Sequence, residues 1–296
     1  MKNPGQKLNR KFKCDTSTMV LPAIAMLLLF TACGKTHDET ASIDKAHSNT
    51  SGSRSTAIDA APVIEKYRAL DDSRDSTIKL RASINSSDSS GLDAPRQITF
   101  NMYRKRYPDG RQQILIEFTS PPEERDRDGL ITVFPDAQVE GVRYVQSTDS
   151  YITTRDLSGE DALFGLTLQE LADGQPERYD FTIEREESVE GTECYRAEGK
   201  LKPGSESKFP RLVLFISKQN NSVVKAEFYD KSNQIARDLV VRKAEMNSGH
   251  WTRVQWTINN VARRKKIEFE ALDVGYDQNL KDSIFTREYL KKIASR

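Results

Sequence analysis

The side chains of this sequence that are suited in type to catalysis are spaced in ways that do not support it. None of the three histidines, His37, His47 and His250, has a second His or Cys two to four residues on, the spacing a metal site needs. His250 follows Gly249 in a turn-like stretch, where a histidine is expected to be solvated. Glu123/Glu124 and Glu186/Glu187 are adjacent in sequence, so on a strand the members of each pair point to opposite faces and cannot share a proton. Gly34-Lys35-Thr36 ends like a phosphate-binding loop, but Leu29 stands where the first glycine of such a loop belongs, and there is no Gly-x-Ser-x-Gly elbow. Cys194 has no His or second Cys near it and is expected to be a small structural residue on a strand. The expectation is a protein with no enzymatic activity, no metal and no cofactor.

One residue does carry chemistry of its own. Lys2, Lys7, Arg10, Lys11 and Lys13 precede the apolar run 19–30, and Phe30-Thr31-Ala32-Cys33 follows at its end. This is the layout of a secretory signal peptide, and its end resembles a bacterial lipobox, in which the cysteine becomes a diacylglycerol thioether and, after cleavage, the acylated N-terminus. Residues 1–32 are thus expected to be a lipoprotein signal peptide, with Cys33 the lipid attachment site. A chain beginning at Cys33 carries 40 basic and 43 acidic side chains, net −3, so acyl chains rather than attraction to anionic lipid must hold it to a membrane. Residues 34–56 are polar, small and aperiodic, and 33–56 reads as a flexible tether reaching roughly 25 Å. In the lipoprotein sorting pathway of Gram-negative bacteria, Asp after the cysteine retains a protein in the inner membrane. By that resemblance Gly34 implies an outer-membrane anchor with the domain facing the periplasm.

The rest of the chain must supply a fold. Its 45 Lys+Arg against 44 Asp+Glu, net +1, give no footprint for nucleic acid, and three cysteines are too few for a disulfide scaffold. From Thr77 onward period two dominates: Ile78/Leu80/Ala82/Ile84, Ile98/Phe100/Met102, Ile114/Ile116/Phe118, Tyr179/Phe181/Ile183, Val224/Ala226/Phe228, Val254/Trp256/Ile258 and Ile267/Phe269/Ala271. Turn chemistry at Pro108-Asp-Gly110, Glu190-Gly191, 219–222, 231–233 and Asn247-Ser-Gly249 separates them as in a meander. The alternation predicts one strongly curved antiparallel sheet of about eleven strands, mainly β, wrapped round one apolar side. Helices are predicted at Pro62–Leu70, at Thr167–Leu171 by capping-box spacing, and from Thr286 to about Ile293, where Phe285 and Leu290 form a hydrophobic staple. The basic runs Arg104–Arg106 and Arg263–Lys266 are expected to be strand-end charges that guard exposed edges.

Over roughly residues 60–293, within an expected domain 57–296, the chain is similar to the LolA-like outer-membrane lipoprotein-sorting proteins. The resemblance is carried, in order, by Ile116-Glu-Phe-Thr-Ser-Pro-Pro122, Gly129-Leu-Ile-Thr-Val133, Phe164-Gly-Leu-Thr-Leu-Gln-Glu-Leu171, Val189-Glu-Gly-Thr-Glu-Cys-Tyr195, Leu214-Phe-Ile-Ser-Lys218, Glu227-Phe-Tyr-Asp230 and Phe285-Thr-Arg-Glu-Tyr-Leu290. It implies an unclosed β-barrel with helices covering an apolar cavity, and a binder of acyl chains or lipidated cargo. The implied partners are a membrane through the lipid anchor, and either a soluble periplasmic carrier or an exporter of the resistance-nodulation-division type. A second function compatible with the resemblance is an envelope interaction or sensing module. Under the cavity reading Phe134, Phe164, Leu166, Leu168, Trp251 and Trp256 are the candidate wall residues. Trp251 and Trp256 fall on opposite faces of one strand, so at most one points inward, and Val254 and Ile258 share the face of Trp256.

Overall fold

The computed structural model describes residues 58–296 except 71, 87–95, 137, 156–175, 206 and 262. Helix α1 (Ala60–Ala69) precedes thirteen strands: β1 (Asp75–Ser86), β2 (Arg96–Arg106), β3 (Gln112–Ser120), β4 (Gly129–Val133), β5 (Val139–Val145), β6 (Ser150–Thr154), β7 (Tyr179–Val189), β8 (Thr192–Leu201), β9 (Arg211–Ser217), β10 (Val223–Tyr229), β11 (Ile235–Asn247), β12 (His250–Asn260) and β13 (Lys265–Tyr276). Helix α2 (Arg287–Ala294) follows them. Every strand predicted from the alternation is present, and the sheet has two more strands than the eleven expected.

The sheet runs β6-β5-β4-β3-β2-β1-β13-β12-β11-β10-β9-β8-β7, and all its pairings are antiparallel. Sequence neighbours pair throughout except at the centre, where β1 meets β13. The first and last strands are thus locked together, and the two edges, β6 and β7, are consecutive in sequence. The barrel stays open there. Two-residue turns hold the register: Glu190-Gly191 and Ser248-Gly249 both have positive φ at each position, the conformation whose twist matches the flanking strands and which glycine adopts without strain.

Period two sorts the sheet into two packed faces. Leu80, Ala82, Ile98, Phe100, Leu212, Leu214, Ala226, Ile258 and Ile267 belong to one continuous buried cluster on the inner face, together with Val63, Ile64 and Tyr67 of α1. Asp59 caps α1 by accepting the Ala61 N–H at 3.0 Å. Arg68 ties the helix to the approach of β7, donating to the Pro176 carbonyl at 3.1 Å and facing Glu177 at 3.5 Å. On the outer face α2 covers a second cluster, placing Leu290 and Ile293 with Leu115, Leu130 and Val142. Its start matches the predicted staple: Thr286 Oγ1 accepts the Tyr289 N–H at 3.2 Å, and Phe285 and Leu290 are both buried.

Between β3 and β4 a 3-10 turn, Pro122–Arg127, brings an acid inside. Asp128 is buried and accepts the Phe118 N–H at 2.7 Å. Burial pushes its pKa from the ordinary 3.8 up to about 7, against the Phe118 hydrogen bond and with help from the nearby Glu117 charge. The folded protein therefore holds a proton on Asp128 that the unfolded chain has released, and stability falls as pH rises between about 4 and 7. Asp128→Asn keeps the acceptor and removes the titration. It is expected to flatten that decline and to add about 1–2 kcal/mol at pH 8, as read by urea unfolding at pH 5 and pH 8. An undiminished difference between the two pH values would contradict the assignment.

Candidate functional site

The inner face is the candidate site, and it changes character along its length. Through its middle it is apolar and aromatic. Trp256 on β12 is 2% exposed and stacks on Phe269 of β13, with ring centroids 5.0 Å apart and planes 11° from parallel. Phe100 and Phe118 lie 5.7 Å apart, and Phe209 meets Phe228 edge-on at 5.3 Å. Arg237, also buried, lays its guanidinium over the Phe228 and Phe209 rings at 4.1 and 4.8 Å, a contact that offsets part of the cost of an interior cation.

Where β1 and β3 begin and β2 and β13 end, the inner residues turn polar. Ser76, Arg104, Gln112, Thr252 and Tyr276 are all buried there. Arg104 donates to Ser73 Oγ, and the Thr252 and Tyr276 hydroxyls are 2.8 Å apart. Beside this layer a cleft of about 960 Å³ opens between the C-terminal half of α1, the β2–β3 hairpin and the segment after β13, lined among others by Arg68, Lys105, Tyr107, Arg111, Gln112 and Leu280. The Gln112 amide is buried with neither its nitrogen nor its oxygen hydrogen-bonded.

Several expectations are corrected. His250 is not a solvated turn residue: it opens β12, is 8% exposed, and lies 3.6 Å from both Asp72 and Asp277, its ring 4.5 Å from Tyr276. The strand begins earlier than the turn signal implied and carries its first side chain inward. Arg104–Arg106 and Arg263–Lys266 do not guard edges, because β2 and β13 lie in the middle of the sheet. Glu123 and Glu124 stand in a 3-10 turn rather than on a strand, and Glu124 is fully buried against Arg127 at 3.0 Å. Glu186 and Glu187 are held by Lys218 and Arg185, each at 2.6 Å.

Cys194 is wholly buried on the outer face of the sheet with Val213 and Phe215, and burial pushes its thiol up to about 11, so it is not a nucleophile at neutral pH. Among the described residues no group of three His, Cys, Asp or Glu is placed to hold a metal ion. Of the candidate wall residues, Trp256 is in the inner cluster, Phe134 is half-buried just after β4, and Trp251 is half-buried opposite Met246, which is 59% exposed. Cys33, Phe164, Leu166, Leu168 and the predicted helix at Thr167–Leu171 lie outside the described residues. Gln112 and Ser76 were not singled out from the sequence. Extending the alternation of β1 and β3 by one step toward the chain start would have placed both on the inner face.

A family model described as "Uncharacterized protein" matches residues 110–292. No curated protein matches the chain. Among solved structures, a DUF1329 family protein from Desulfovibrio piger is similar at 22% identity and TM-score 0.63, over 78% of this chain and 95% of its own. A domain described as an outer membrane lipoprotein-sorting protein from Vibrio parahaemolyticus is similar at 15% identity and TM-score 0.64, over 78% and 97%. A LolA superfamily protein from Nitrosomonas europaea is similar at 17% identity and TM-score 0.60, over 79% and 100%. These likenesses agree with the open, curved antiparallel sheet described above.

Proposed function

The chain belongs to the family of the model matched over residues 110–292 and has the LolA-like fold, and from this premise we propose that it is a non-enzymatic lipoprotein of the cell envelope that binds acyl chains or lipidated cargo. The observation that carries the reading is the inner face, one continuous apolar cluster from β5 round to β7 in a sheet whose edges β6 and β7 do not pair with each other. Such a surface offers hydrocarbon about 0.8 kcal/mol per buried methylene and requires no catalytic group. In this reading residues 1–32 are removed, Cys33 is acylated and anchors the protein to the outer membrane, and 33–56 tethers the domain 57–296 in the periplasm. Trp256, with Phe134, Phe164, Leu166 and Leu168 as further candidates, contributes to the wall, and cargo comes from a soluble periplasmic carrier, a resistance-nodulation-division exporter being the alternative partner.

The near-zero exposure of Leu80, Ile98, Leu212 and Ile258 favours a second reading, in which a filled interior makes the domain an interaction or sensing module. A transfer assay separates them. Protein loaded with radiolabelled acylated peptide is mixed with acceptor vesicles: a carrier or receptor takes up label and yields it to the vesicles, and a module takes up none.

A further inference from the structure

We infer that Gln112 reads the amide group of an N-acyl ligand whose hydrocarbon chain lies along the inner face, with the cleft beside α1 receiving the polar end. The inference rests on the acyl-binding reading and adds which polar group accompanies the chain. Gln112 pairs in register with Val133 and shares the inner face with Ile114, Ile116 and Phe118. Both Val133 and Ile114 pack in the apolar cluster, so the amide stands where hydrocarbon gives way to the cleft. It is 2% exposed, lines the cleft, and spends neither its N–H donors nor its carbonyl on the protein.

Several of the charges around it are paired, although Arg68 Nε and Arg111 Nε donate no hydrogen bond. Arg68 faces Glu177 at 3.5 Å, Lys105 faces Asp282 at 2.6 Å, and Arg111 lies 3.5 Å from Asp109 with its guanidinium 4.4 Å from the Tyr107 ring. Asp75 accepts the backbone N–H groups of Gln278 and Leu280 at 2.8 and 3.1 Å. An ionic headgroup would have to break such pairs, whereas a neutral group that both donates and accepts uses capacity that is unspent. An N-acyl amide carries one N–H donor and one carbonyl acceptor, so either can meet the unspent carbonyl or N–H of Gln112. An ester offers acceptors only, so it can take the Gln112 N–H groups but leaves the buried Gln112 carbonyl stranded once it covers it, and such stranding is what gives polar pockets their selectivity.

The test uses the full chain in phosphatidylethanolamine–phosphatidylglycerol vesicles and a diazirine-bearing palmitate photoprobe, displaced by N-palmitoylglycinamide or by methyl palmitate. In the wild type the amide is expected to displace the probe at a concentration at least tenfold lower than the ester. Gln112→Leu, close in volume, should bring the two to parity with the ester unchanged. Gln112→Met, unbranched like glutamine, should do the same if the leucine variant fails to fold. Equal displacement in the wild type, or a preference that survives both variants, overturns the inference and leaves acyl binding standing. So does displacement by 1-monopalmitin as strong as by the amide, because a hydroxyl would then suffice. Failure of the probe to label the protein at all removes the acyl-binding reading and the inference with it.

Discussion

Trp256→Arg is expected to destabilise the domain by about 3–5 kcal/mol, the range for losing a buried tryptophan side chain, with the cost of an unpaired interior cation added. The indole is 2% exposed, stacks on Phe269, and sits between strand partners Val241 and Phe269 near the centre of the sheet. An arginine there cannot reach water without displacing β13 or β11. Trp256→Phe is the companion variant. It keeps an aromatic ring on Phe269 and deletes an indole N–H that is buried without a hydrogen-bond partner, so it is expected to cost much less, about 1–2 kcal/mol. Trp251→Arg, at a half-buried position opposite exposed Met246, is expected to stay within about 1 kcal/mol. Urea unfolding orders the three, and equal losses for the two arginine variants would contradict the inward placement of Trp256.

The second large effect concerns the N-terminus. Cys33→Ser is expected to abolish incorporation of radiolabelled palmitate and to leave an unprocessed precursor with residues 1–32 attached, because a serine hydroxyl cannot form the thioether that licenses cleavage in the lipobox reading. Labelling and electrophoretic mobility in a Gram-negative host read both at once. A serine variant that is still labelled and processed to the same mass would remove the anchor from the account.

Period two was a sufficient signal for strands that leave one face partly exposed, such as β2, whereas β9, buried along both faces, carries no such alternation. Ile98, Phe100 and Met102 of β2 and Trp256 and Ile258 of β12 lie in the inner cluster, with Val254 half-buried. The staple at Phe285 and Leu290 marked α2 for an equally local reason. The pairing of β1 with β13 was not legible, since no local pattern records which distant strand completes a meander, and with it went the assignment of the basic runs, which depends on knowing the edges. His250 and Gln112 were missed on the same grounds. Each sits at the first residue of a strand, where turn chemistry on one side obscures the alternation on the other. The strand limits decide burial at such positions, and they are the part of an element that sequence locates least well.

The measurement that bears most directly on the central claim is mass spectrometry of an organic extract from residues 57–296, secreted to the periplasm of a Gram-negative host and purified without detergent. The account predicts a stoichiometric lipid or acylated peptide in the extract. A folded, monodisperse protein that yields a clean extract would contradict it and transfer the assignment to the interaction module.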